Sequence, residues 1–281
     1  MGRGPRVGAG SKTERAFGGP VTFARPVTRR ASMLRAQWQL VLVALKLFFR
    51  EPAAFGLTVI APAVLVVMFG ASFGNKLGSS PNPGYGFVDL ATPALATIII
   101  GTAAFMGIPP NTATARELRI LRRYRATPLH PVLYVVADVI AYLVVAVVGM
   151  ALLVLTAKLI FGLRFAGSWP ALTAAFVLSA LSLYAVGYVI ASLAPTARVA
   201  QAAGLLLFLP MLFLSGATLP RALMPSAIMH VSDYVPLTQV VSLLQGLWVG
   251  DSWQQHLRET WVLLIMLVGG VLVSARTFRW E

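Results

Sequence analysis

The sequence predicts an all-α membrane protein with six transmembrane helices and both termini in the cytoplasm. Three observations carry this reading. Of the 281 residues 58% are hydrophobic and only 11% charged, with a mean hydropathy of +0.79. The apolar residues gather in six long stretches, each near the ~20 residues that a ~30 Å hydrocarbon core demands of a helix. Positive charge also falls unevenly about them. Of the Lys and Arg residues, 18 lie on one side of the six spans and 5 on the other. The positive-inside rule assigns the richer side to the cytoplasm. The expected location is the plasma (inner) membrane.

The chain opens on residues 1–30, rich in Gly, Pro and Arg, with seven basic residues and one acid, Glu14. Such a composition buries no core, so the expectation is a disordered basic cytoplasmic tail ahead of a membrane domain over 31–281. Ala31–Arg50 is amphipathic. Arg35, Gln39, Lys46 and Arg50 share one helical face, and Leu34, Trp38, Val41, Leu45 and Phe48 follow another. A basic face opposite Trp and Phe suits a helix lying in the membrane surface, with Arg35, Trp38, Lys46 and Arg50 as its interfacial residues. An ordinary helix packed on protein would show the same periodicity.

Glu51-Pro52 interrupts that helix and starts the first span, Ala53–Phe73. The second span is expected over Ala91–Ile108, ended by Pro109-Pro110. The next polar stretch, to Pro131, reads as a short cytoplasmic helix. Thr114 and Glu117 fit a capping box, five arginines follow between Arg116 and Arg125, and Pro128 stops it. A topology anchor needs no such start and stop signals, which favours a docking surface. The third, fourth and fifth spans are expected over Val132–Ala157, Pro170–Leu193 and Val199–Leu219, and the sixth over Thr260–Ala275. Between the last two, Pro220–Glu259 is long yet apolar, with Met224, Ile228, Val240, Leu244 and Trp248 among its residues. Pro225 and Pro236 cut it into pieces too short to span, which suits an external re-entrant segment. Near the end of the fifth span, Pro210 and Gly216 flank Met211, Phe213 and Leu214. These three are a candidate outer gate, with lipid-facing or core packing as the plainer alternative.

Several chemistries are missing from the chain. It has no cysteine, so disulfides and thiolate sites are excluded. His130, His230 and His256 show no ligand spacing. Gly8-Ala9-Gly10-Ser11-Lys12-Thr13 lacks the Gly before Lys that a phosphate loop requires, so no ATP site is expected here. Gly70-Ala71-Ser72-Phe73-Gly74 has the letters of a nucleophile elbow but ends a membrane helix. Asp138 is the one acid well inside an expected span. It fits a functional role, or a structural one in which it snorkels or pairs with an arginine. The net charge of +14 would suggest nucleic acid in a soluble protein, but here the basic residues sit where headgroup anchoring explains them, so no nucleic-acid partner is expected.

Three stretches resemble the membrane subunits of ABC-2 type exporters, the group of antibiotic, polysaccharide and lipid export permeases. The first is Arg116-Glu117 with Leu121-Arg122-Arg123-Tyr124-Arg125-Ala126-Thr127-Pro128-Leu129. The second is Phe213-Leu214-Ser215-Gly216-Ala217 with Leu219-Pro220 and Met224-Pro225. The third is Pro236-Leu237-Thr238 with Leu244-Gln245-Gly246-Leu247-Trp248. The resemblance spans roughly residues 31–281. It implies a permease that exports an amphipathic drug, lipid or lipid-linked glycan and works as a homodimer or heterodimer with a related permease. It also implies a separate ATPase subunit that binds the ATP and Mg. Arg116, Glu117, Arg119, Arg122, Arg123, Tyr124 and Arg125 would form the coupling helix docked to that ATPase. One position departs from the pattern: the family often has Gly soon after the Arg-Glu pair, where this chain has Arg119, which bears on the choice of ATPase. The alternative classes are an ATP-independent channel or membrane assembly scaffold, or a secondary transporter. A neighbouring gene for an ATP-binding cassette would separate these from the exporter.

Overall fold

The computed structural model of the chain describes Gly2 and residues 29–76, 84–120, 132–218 and 224–277. Among these residues the regular structure is helical, and six helices are long and apolar enough to cross a membrane. A surface helix, Arg29–Arg50, precedes them. The first span is continuous from Pro52 through a π turn at Gly56–Ile60 to Phe73. The others are Phe87–Glu117, Val132–Phe161, Trp169–Leu193, Ala197–Leu214 and Leu257–Thr277, the last led in by a 3₁₀ turn at Trp253–His256. Apart from Gly2, the expected basic tail lies outside the described residues up to position 28.

The second span is the axis of the bundle. It packs against the first, third, fourth and fifth spans, and 83% of an 18-residue apolar stretch of it is buried, against 11% of the corresponding stretch of the sixth. Its composition explains this: Ala94, Leu95, Ala96, Ile99, Ile100, Ala104 and Phe105 are apolar all round, and all are fully or almost fully buried. The sixth span rests mainly on the fourth. Small and hydroxylated residues let these two approach. Gly270 sits against Ala185, Ser182 Oγ donates to the Leu263 carbonyl at 2.8 Å, and Ser192 and Thr277 pair at 2.7 Å.

The second span runs longer than the sequence suggested. Pro109-Pro110 does not end it. The helix passes through a π turn at Thr102–Gly107 and continues over Ile108–Glu117. The prolines survive inside because the π turn has already broken the α-helical ladder: Ile108 N–H reaches Ala103 O, one residue further back than usual. Ala104 O and Phe105 O are then left without α-helical donors, since Ile108 N–H is engaged and Pro109 has none. Those two carbonyls face Gly187 of the fourth span and Gly204 of the fifth, where any Cβ would overlap them. The glycines let neighbouring backbones close over the exposed carbonyls, with Cα–H groups as weak donors.

At the end of the bundle away from the basic surface helix, two helices follow the fifth span, Ser226–Ser232 and Pro236–Val249. Pro225 and Pro236 mark their starts, as the sequence indicated. The second does not simply cover the surface. Leu237, Leu243, Leu244 and Trp248 are fully buried, and the helix wedges against the second, fourth and sixth spans. The fifth span stops at Leu214 rather than Leu219: Ser215 and Gly216 turn the chain, and Ser232 Oγ binds the last helical carbonyl, Leu214 O, at 2.6 Å.

Candidate functional site

The second span ends at the basic end of the bundle, and its last residues hold the turn between the fourth and fifth spans. Helical geometry stops at Leu118, and Arg119 adopts a left-handed backbone with φ of 56°. Thr114 and Glu117 therefore close a helix; they do not cap the start of a new one, as the sequence suggested. Arg116 donates through Nη1 to Ala191 O at 3.3 Å and through Nη2 to Ala194 O, carbonyls in and just past the last turn of the fourth span. The Glu117 carboxylate accepts from Ala197 N–H at 2.8 Å, the first residue of the fifth span. Thr196 adds an ordinary N-cap, accepting from Val199 N–H at 3.3 Å. Exposed carbonyls at a helix C-terminus favour a cation, and exposed N–H groups at an N-terminus favour an anion. Adjacent residues of opposite charge thus grip opposite helix poles. The small cluster of Ala113, Ala194 and Ala200 fills the space beside this clamp.

The membrane-domain pattern of ABC-2 type transporters matches residues 36–248, which spans every helix from the surface helix to Pro236–Val249. The chain belongs to the ABC-2 type transporter family. No curated protein matches it. This ABC-2 chain is therefore a membrane component of an ABC transporter, a transport subunit that is not catalytic by itself.

The other residues singled out from sequence are distributed unevenly. Arg119 is exposed at the helix break. Arg122, Arg123, Tyr124 and Arg125 lie outside the described residues. Arg35, Lys46 and Arg50 form an exposed row on the surface helix, while Val41 is buried and Phe48 meets Tyr142 of the third span at 6.3 Å between rings. Trp38 is not on the packed side; it is 61% exposed, beside Leu42 and Phe49. At the opposite end, Met211 and Leu214 pack on the core and Phe213 points away from it. The three do not converge within one subunit.

Asp138 faces a cavity between the surface helix and the second and third spans, and takes a 2.7 Å hydrogen bond from Tyr188 O–H. No arginine among the described residues pairs with it. Ser72 donates to Met68 O on its own helix, which fits no nucleophile elbow.

A second acid, Asp89, was not singled out because the expected second span began beyond it. It is fully buried at the opposite end of the bundle. Its oxygens accept from Asn75 Nδ2, Gly86 N–H and Arg164 N–H, each at 2.9 Å. This joins the start of the second span to the connections after the first and third. An acid three residues past Gly86, able to accept from the Gly86 N–H at the start of the helix, was the available signal.

Proposed function

We propose that this ABC-2 chain is the permease of an exporter that moves an amphipathic drug, lipid or lipid-linked glycan outward across the plasma membrane. A separate ATPase subunit binds the ATP and Mg and supplies the energy. The permease functions as a dimer, with itself or with a related chain, and its basic end, including both termini, faces the cytoplasm.

The Arg116–Glu117 clamp is the observation that carries this reading. A force applied by an ATPase at 116–125 would pass through Arg116 into the fourth span and through Glu117 into the fifth. It would reach the axial second span directly, at whose middle the π turn offers a place to bend. The exposed row Arg35, Lys46 and Arg50, flanked by Trp38 and Phe49, suits a helix held at the lipid surface. The direction of Phe213, away from its own subunit's core, supports a role for it in closing a pathway against a second subunit.

The test is co-expression with the cognate ATPase and purification of the complex. Substrate-stimulated ATP hydrolysis by a stable complex supports the exporter. A permease that conducts in bilayers with no associating ATPase would favour a channel.

A further inference from the structure

We propose that the cavity between the surface helix and the second and third spans binds an amphipathic organic cation, with Asp138 as its counter-ion. The cavity holds about 260 Å³. Its walls are largely apolar, with Leu47 and Phe48 from the surface helix and Val145 deepest along the third span. Two carboxylates break this surface. Asp138 lies in the wall, one turn and a half into the third span, and Glu51 is exposed at the end of the surface helix. No Lys, Arg or His lines the cavity among the described residues, and none of them forms an ion pair with either acid.

The chemistry of this lining selects its ligand. Among the described residues Asp138 has one side-chain hydrogen bond, through Oδ2 to the Tyr188 hydroxyl. A carboxylate facing a mostly apolar cavity within a span is costly unless a positive charge compensates it. The lining also presents Tyr134 and Tyr142, whose ring faces attract cations. Asn111 donates to Tyr142 O–H at 2.8 Å and fixes that ring's polar edge. A bare metal ion is poorly served, since the described residues hold no cluster of three or more acidic or histidine ligands. An anion would meet two like charges. A flat or elongated cation with an apolar body satisfies the acid, the aromatic faces and the apolar wall together.

This inference names the substrate class of the exporter proposed above and rests on that reading for transport, though binding can be read without it. The permease alone, in nanodiscs, is titrated with a fluorescent styrylpyridinium cation and with the uncharged stilbene of the same skeleton. Protein-free nanodiscs correct for partition into lipid. Saturable binding of the cation is expected, weakened at least tenfold by Asp138→Asn, restored by Asp138→Glu, and with the stilbene unaffected by the charge change. Glu51→Gln should weaken the cation by a smaller factor, and Ala44→Trp should weaken both dyes by filling the cavity. If Asp138→Asn does not fold, these two variants decide the matter. Non-saturable binding, or equal affinities for cation and stilbene in every variant, overturns the site. Charge-selective binding without any ATP-driven transport would support the site and overturn the exporter reading. ATP-driven transport with no charge-selective binding would do the reverse.

Discussion

Glu117, the last helical residue of the second span, accepts a hydrogen bond from the backbone N–H of Ala197, the first residue of the fifth. Two spans 80 residues apart are thereby fastened end to end, and the adjacent Arg116 holds the end of the fourth. Glu117→Ala removes one such contact at an exposed site, a loss of about 1 kcal/mol on the scale of helix caps. Amide hydrogen exchange over 197–200 should accelerate about fivefold, while exchange within 87–101 stays unchanged. Unaltered exchange at 197–200 would show that Thr196 alone suffices as cap.

Arg119 occupies a left-handed conformation that costs an L-residue about 1–2 kcal/mol and glycine almost nothing. Arg119→Gly should therefore stabilise the detergent-solubilised protein by ~1 kcal/mol, read as a rise in thermal midpoint. A fall would mean that the Arg119 side chain contributes more than its backbone strain costs.

Gly187 and Gly204 lie against Ala104 O and Phe105 O with no room for a Cβ. Gly204→Ala and Gly187→Ala should each destabilise by about 1–3 kcal/mol through overpacking. Gly269→Ala, where a Cβ would meet nothing within 4 Å, serves as control and should not lower the thermal midpoint. Equal midpoints for all three would mean that the second span moves freely at its π turn.

The charge asymmetry gives a topology that added cysteines can report, since the chain has none. Ser252 is exposed at one end and Thr114 at the other, whereas Thr112 is buried and unsuited to labelling. Ser252→Cys should react with an impermeant maleimide added outside intact cells, and Thr114→Cys only after lysis. The opposite pattern would invert the protein in the membrane.

Much of this architecture was legible because lipid imposes a coarse code. Twenty apolar residues read as a span whatever they pack against, so all six were found, from Ala53 to Ala275. Their ends were less legible. Pro109-Pro110 reads as a stop signal only if the helix is α-helical up to that point. The π turn at Thr102–Gly107 is a tertiary feature, accommodated by glycines 80 or more residues away. Thr114 and Glu117 have the spacing of a helix start for the same reason that they fail to be one: Glu117 caps a different helix, Ala197–Leu214. Asp89 lies just ahead of the expected second span, and its partners, Asn75 and the Arg164 amide, come from separate loops that no local pattern brings together. Phe213, Met211 and Leu214 are close in sequence, but helical rotation sends the first away from the core side of the other two.

The most direct test is the ratio of substrate moved to ATP hydrolysed, measured in proteoliposomes that hold the permease with its cognate ATPase. The unaltered complex should move substrate in an ATP-driven manner. Arg116→Ala combined with Glu117→Ala should lower that ratio at least tenfold, with ATPase association and hydrolysis retained. An unchanged ratio in the double variant would contradict the assignment of this clamp as the path from nucleotide hydrolysis to the spans.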